Sequence, residues 1–248
     1  MDVFTHYILT ATSYSKHTRV AFDLAVSDEE KAPDLRLLEE VKARNTHGLP
    51  TSFHMKSIED ASIEKLIETD PYFEGVHFCK SVDEFITYLE SDLCTSSIDI
   101  GKYILSMIDC SKLKLQKLVY YCYAEYLKKT GKKLFKDAVC AFRYGPVSED
   151  LYRATTSYDR EMLRKAFLPD FDEKSHLVCE CRMARTEDGK TKILVIQDVV
   201  DRYGDLSAED LVNMTHRPGS PWSRSWKNQM WTPITDSTIL QCHAAEVL

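Results

Sequence analysis

Residues 111–131, SKLKLQKLVYYCYAEYLKKTG, decide how this chain is read. Leu115, Leu118, Val119, Cys122 and Tyr126 recur at spacings of three and four, which aligns them in one apolar stripe along a helix. Ser111 offers an N-cap hydroxyl to an otherwise unpaired first-turn amide, and Gly131 suits the left-handed residue just past a helix end. Gln116 and Lys117 flank the stripe, where a helix edge is ordinarily solvated. Tyr120, Tyr121, Tyr123 and Tyr126 could fill a core or present an interface; helical spacing spreads them around the cylinder, which favours the core.

Helical patterns continue on both sides. Upstream, Ile98, Gly101, Ile104, Leu105 and Ile108 form a second stripe after a polar break at residues 94–97. Downstream, Gly145 permits a sharp turn, and Pro146 is placed as the first residue of a helix through Tyr152. Residues 176–185 alternate weakly and, with Asp188-Gly189 as a turn, predict a small hairpin. Ile193, Ile196, Val199, Val200 and Tyr203 mark another helix, closed by Gly204. Leu206, Ser207, Asp210 and Leu211 then read as a hydrophobic staple around an aspartate-containing capping box.

The first 95 residues read differently. Val20, Phe22, Leu24 and Val26 alternate with the period of two that a half-buried strand requires, and residues 4–10 supply a hairpin partner. Helices are predicted at 33–45 and at 58–69, the latter stopped by Asp70-Pro71. A short strand at 75–79 leads into Ser81-Val82-Asp83-Glu84, a capping box that starts a helix reaching about Ser91. The fold class expected is mainly α, with a small α/β domain at 1–95, a helical domain at 96–230 that includes a small β-hairpin, and a C-terminal tail at 231–248.

Composition narrows the function classes. Acidic residues outnumber basic ones by 39 to 32, a formal charge of −7, and a surface that binds nucleic acid must instead be basic enough to release counterions. No basic region precedes an apolar stretch at the N-terminus, and no segment approaches the roughly 20 apolar residues of a membrane helix, so a soluble cytoplasmic protein is expected. The eight cysteines are scattered and read as reduced, buried thiols. Cys179 and Cys181, with His176 nearby, are the one close pair; a structural zinc site wants four ligands and the second pair is missing. With eight glycines and no phosphate-cradling loop, no cofactor and no metal are expected.

Three clusters carry more specific information: Leu115-Gln116-Lys117-Leu118 with Tyr120 and Tyr121; Phe142-Arg143-Tyr144-Gly145-Pro146-Val147 followed by Leu151-Tyr152; and Leu206-Ser207 followed by Thr215-His216 and Gly219-Ser220-Pro221-Trp222. In order and spacing they resemble the Panacea domain, the family of SocA-like antitoxins, over about residues 96–230. The resemblance implies a mostly helical domain that binds and neutralises a partner toxin, and in one branch of the family delivers it to a protease. It marks Gln116, Lys117, Tyr120, Tyr121, Arg143, Tyr144, Gly145, Pro146, Thr215, His216, Pro221 and Trp222 as motif or partner-binding candidates. The chain departs from the family pattern at Arg217-Pro218, where a basic-acidic pair is expected. Residues 1–95 fall outside the resemblance and are candidates for selecting the partner.

Other readings stay open at this stage. Arg143 could grip a partner's carboxylate or tie down a neighbouring loop. His216, with hydroxyls at Thr215 and Ser220, is the residue around which an enzyme reversing a toxin-installed modification would be built, or else a hydrogen-bonded structural histidine. No assembly of residues completes a catalytic site in sequence, so no enzyme is expected. A DNA-binding autoregulator lacks a helix-turn-helix with a basic recognition helix. Trp222, Trp226 and Trp231 read as packing anchors.

Overall fold

A computed structural model describes residues 3–13, 18–27, 36–45, 48–158, 160–168 and 174–248, which divide into two compact units, Met1–Leu93 and Cys94–Leu248. Taken together these residues are mixed α/β, a broader class than the mainly helical one expected.

The first unit is built on a four-stranded sheet. Its strands are β1 (Phe4–Ser13), β2 (Thr18–Ser27), β3 (Ser52–Ile58) and β4 (Val76–Cys79), and its helices are α1 (Arg36–Arg44), α2 (Ile63–Thr69) and α3 (Val82–Ser91). The spatial order is β3-β1-β2-β4; β1 runs antiparallel to β2 and β3, and β4 is parallel to β2. Strand alternation sends Leu9, Ala11, Val20 and Phe22 to one face, where they pack with Val41 of α1 and Phe85, Ile86 and Leu89 of α3. Ile8 and Ala21 face the other way, onto Leu66 of α2 and Phe73.

Several local expectations need correction here. The predicted helix at 58–69 begins only at Ile63, because Ile58 ends β3 and the Ser62 hydroxyl caps Lys65 N at 3.3 Å. The first residues of the helix predicted at 33–45 lie outside the described residues. At α3, the Ser81 hydroxyl caps Glu84 N as expected, but the Glu84 carboxylate accepts from Lys80 N at 2.8 Å, one residue beyond the reciprocal bond of a capping box.

The second unit contains α4 (Ser97–Met107), α5 (Lys112–Thr130), β5 (Val139–Phe142), β6 (Gly145–Ser148), α6 (Glu149–Thr155), α7 (Arg160–Phe167), α8 (Ser175–Ala184), α9 (Gly189–Tyr203), α10 (Ala208–Thr215), α11 (Pro221–Ser225), β7 (Thr232–Pro233) and α12 (Asp236–Cys242). Ser111 caps α5 and Gly131 closes it at φ 70°, as the sequence requires. Over its middle turns the helix is buried on every side, beyond the single stripe predicted: Gln116 is buried, and Lys117 is as inaccessible as Leu118. The solvated-edge reading of those two residues is therefore wrong. All four tyrosines Tyr120, Tyr121, Tyr123 and Tyr126 belong to the core.

Three further corrections belong to this unit. Pro146 does not open a helix; it lies in β6 opposite Ala141 of β5, and α6 starts at Glu149. Residues 176–184 are helical and form most of α8, because Cys179 and Met183, one turn apart, face the core. The hairpin of this unit is instead β5–β6, with β7 added on the other side of β5. Residues 231–248 are not a tail: Ile239, Cys242, His243 and Glu246 are buried, and Tyr123 donates to Asp236 at 2.7 Å. Gly204 does close α9, although in right-handed geometry at φ −64°. The capping box of α10 forms as predicted, Ser207 and Asp210 exchanging backbone bonds at 3.0 and 3.1 Å.

Candidate functional site

The three sequence clusters meet at one place. From α5, the Gln116 side-chain oxygen accepts from Ser148 N at 3.0 Å and Lys117 Nζ donates to the Pro146 carbonyl at 2.8 Å, so two adjacent helix residues hold β6. Gly145 is required at the turn: its φ is +102°, and a Cβ there would stand 2.7 Å from Thr215 Oγ1 and 2.8 Å from Lys117 Nζ. The third cluster closes on the same hairpin. Trp222 donates its indole N–H to the Phe142 carbonyl at 2.7 Å and stacks on His216, with ring centroids 3.6 Å apart and planes within 3°. Pro221 opens α11 behind the Ser220 cap, where its missing N–H loses nothing.

This geometry assigns the polar motif residues to framework. The Thr215 hydroxyl donates to Val212 O at 2.9 Å, and the Ser220 hydroxyl donates to Thr215 O at 2.6 Å. Both hydroxyls that would serve a catalytic His216 are thus committed to backbone carbonyls. The imidazole lies flat on Trp222, its Nε2 is buried without a hydrogen-bond partner, and burial together with Lys117 keeps its pKa below the ordinary value.

Behind Lys117 lies a polar cluster that sequence reading missed. Glu246 is fully buried; one carboxylate oxygen accepts from the Tyr120 hydroxyl and pairs with His243 Nδ1 at 2.8 Å, while the Tyr121 hydroxyl donates to the Glu246 carbonyl at 3.1 Å. Burial pulls the Lys117 ammonium down to about 7, opposed by the Glu246 charge. Burial pushes the Glu246 carboxyl upward, opposed by its bonds to His243 and Tyr120. For His243, burial disfavours the charged ring, but Glu125 and Glu246 together outweigh it and raise the pKa. Hydrogen bonding to His243 in turn takes Glu125 down to about 2. Little in residues 231–248 announces this, because the two tyrosine partners of Glu246 lie more than a hundred positions upstream.

One part of the motif is left at the surface. Arg143 and Tyr144 form the tip of the β5–β6 hairpin, with Tyr144 57% exposed and the Arg143 guanidinium 5.6 Å from its ring centre. Among the described residues, no hydrogen bond or ion pair ties Arg143 to a neighbouring loop. Beside the hairpin, Trp231 packs edge-on against Phe142 at 4.6 Å and Tyr152 at 5.6 Å while remaining 38% exposed, and Arg153 covers its ring at 5.2 Å. The packing-anchor reading holds for Trp222, which is buried, whereas Trp231 packs on Phe142 and Tyr152 yet stays partly exposed.

Two metal candidates also resolve. Cys179 is buried and Cys181 exposed on the same helix, so the close pair does not converge. Among the described residues, the group whose donor atoms do converge is His77, Cys79 and Glu84 in the first unit, which the sequence reading did not single out. No helix among the described residues is long and apolar enough to cross a membrane.

Comparison with known proteins agrees with this placement. Residues 115–223 match the family model for the antitoxin SocA-like, Panacea domain. A relative, "Antitoxin SocA" of Caulobacter vibrioides (strain NA1000 / CB15N), is 27% identical over 117 residues, a match that spans 46% of this chain and 59% of the relative's length. No solved structure matches. Residues 115–223, the stretch in which the three clusters lock together, are a SocA-like Panacea domain.

Proposed function

We propose that this chain is an antitoxin that neutralises a protein toxin by direct complex formation, with the β5–β6 hairpin tip as part of the contact surface. The observation that carries the reading is the division of labour within the motif. Its polar residues are consumed in holding the hairpin, whereas Arg143 and Tyr144 project to solvent beside Trp231 and Arg153. Arginine, tyrosine and tryptophan are the residue types that dominate binding energy at protein interfaces. The family match and the relative's name supply the class of partner. Neutralisation then follows from mass action, since a tight complex keeps free toxin rare. Residues 1–95, outside the family match, are the part assigned to partner selection, and delivery of the captured toxin to a protease is a further step compatible with the same contact.

The test is co-expression of the full chain with the product of each neighbouring gene, scoring growth rescue and then co-purification. The expected result is rescue together with a stoichiometric complex. Rescue with no complex overturns neutralisation by binding in favour of an enzymatic or regulatory route.

A further inference from the structure

The first unit carries a cluster unrelated to the Panacea motif. His77 and Cys79 lie two residues apart on β4, opposite Val20 and Phe22 of β2, so both side chains leave the same face of the sheet. Glu84 comes to them from the first turn of α3, and one donor atom from each residue lies within 4.8 Å of the other two. His77 Nε2 and Glu84 Oε1 are 3.1 Å apart, a separation two ligands of one ion can share.

The supporting contacts orient these donors. The second Glu84 oxygen is fixed by Lys80 N at 2.8 Å, which leaves Oε1 directed at the cluster. The His77 ring packs on Tyr88, one turn beyond Glu84 on α3, at 5.1 Å. Such second contacts are what hold metal ligands in their productive rotamers. Cys79 is buried under α3, whereas the side chains of His77 and Glu84 are 43% and 35% exposed, so the cluster has a closed floor and an open mouth.

We infer that His77, Cys79 and Glu84 form a binding site for a zinc-class divalent transition ion, joining β4 to the start of α3. A thiolate, an imidazole and a carboxylate are the ligand types zinc takes, and three protein ligands leave a fourth position for water. Binding displaces the thiol proton of Cys79 to solvent, and the thiolate and carboxylate then neutralise the ion's two charges. The same two anions offset the positive end of α3, which by itself disfavours a cation.

Cobalt(II) titration of the full chain tests this, read by the thiolate-to-cobalt charge-transfer band in the near ultraviolet. The expected result is one equivalent bound, displaced by zinc. Cys79→Ser should abolish the band, and His77→Ala and Glu84→Gln should each weaken binding at least tenfold with unchanged circular dichroism. A Cys94→Ser/Cys181→Ser variant, which removes the two exposed thiols, should keep the band. Absence of a band in the folded chain, or a band lost only in that double variant, overturns the assignment. Should Cys79→Ser fail to fold, the two variants at the open mouth decide, and unchanged affinity in both overturns the site.

Discussion

Tyr120 and Glu246 are 126 residues apart in the chain, yet the phenol hydroxyl of one donates to the carboxylate of the other in a site closed to solvent. His243 grips the same carboxylate oxygen, so a single side chain satisfies two buried groups. Glu246→Ala leaves both without an acceptor and opens a cavity, and should cost about 2–4 kcal/mol in urea unfolding. Glu246→Gln keeps an accepting oxygen and should cost less than half of that. Equal losses in the two variants would mean that the carboxylate itself, and neither the filled volume nor an accepting amide oxygen, carries the stabilisation.

Lys117 makes stability depend on pH. Its folded pKa is about 7 because of burial, against an ordinary value of 10.5, so between those values the unfolded chain binds the additional proton. Stability tied to the neutral amine is full above the ordinary lysine value and is lost as the pH falls through about 7. Relative to Lys117→Met, the native chain should gain roughly 2 kcal/mol between pH 7 and pH 9. Parallel pH profiles for the two proteins would show that Lys117 titrates as an exposed lysine does.

Gly145→Ala should be among the most damaging single substitutions in the hairpin. The new methyl would have to enter between Thr215 and Lys117 at a φ of +102°, and neither neighbour is free to retreat into solvent. A loss of about 2 kcal/mol or more is expected from strain and displaced packing, measured as a fall in urea midpoint.

Arg143→Ala and Tyr144→Ala should separate binding from folding. Both positions are exposed, so stability should change by less than about 0.5 kcal/mol. In the complex with the cognate toxin, the pair should accelerate dissociation at least tenfold, as followed by surface plasmon resonance. A complex unaffected by both substitutions places the contact elsewhere on the chain.

Much of this was readable from local chemistry. The Ser111 and Ser207 caps and the Gly131 stop stand where propensity and spacing put them, because each depends on neighbours within a few residues, and the β1–β2 pairing joins two strands adjacent in sequence. The failures share a cause. Pro146 meets every local rule for opening a helix, but Gln116 and Lys117 of α5 claim the backbone of residues 146–148 and hold it extended. The alternation at 176–185 is too weak to separate strand from helix, and it is the core behind Cys179 and Met183 that selects α8. Of the candidate site, the motif positions follow from the family pattern, while the Lys117 bond to Pro146 and the Tyr120 bond to Glu246 span 29 and 126 residues and leave no trace in spacing.

Closing Tyr120 and Tyr121 with the segment around Glu246 also gives the domain a clock. A ribosome adding about 5–20 residues per second takes roughly 6 to 25 s to travel from Tyr120 to Glu246, 126 positions later. Throughout that interval this largely buried helix waits with two phenols, those of Tyr120 and Tyr121, short of their acceptors. A message cut short before that codon yields a product in which the buried Tyr120 and Tyr121 hydroxyls lack these acceptors.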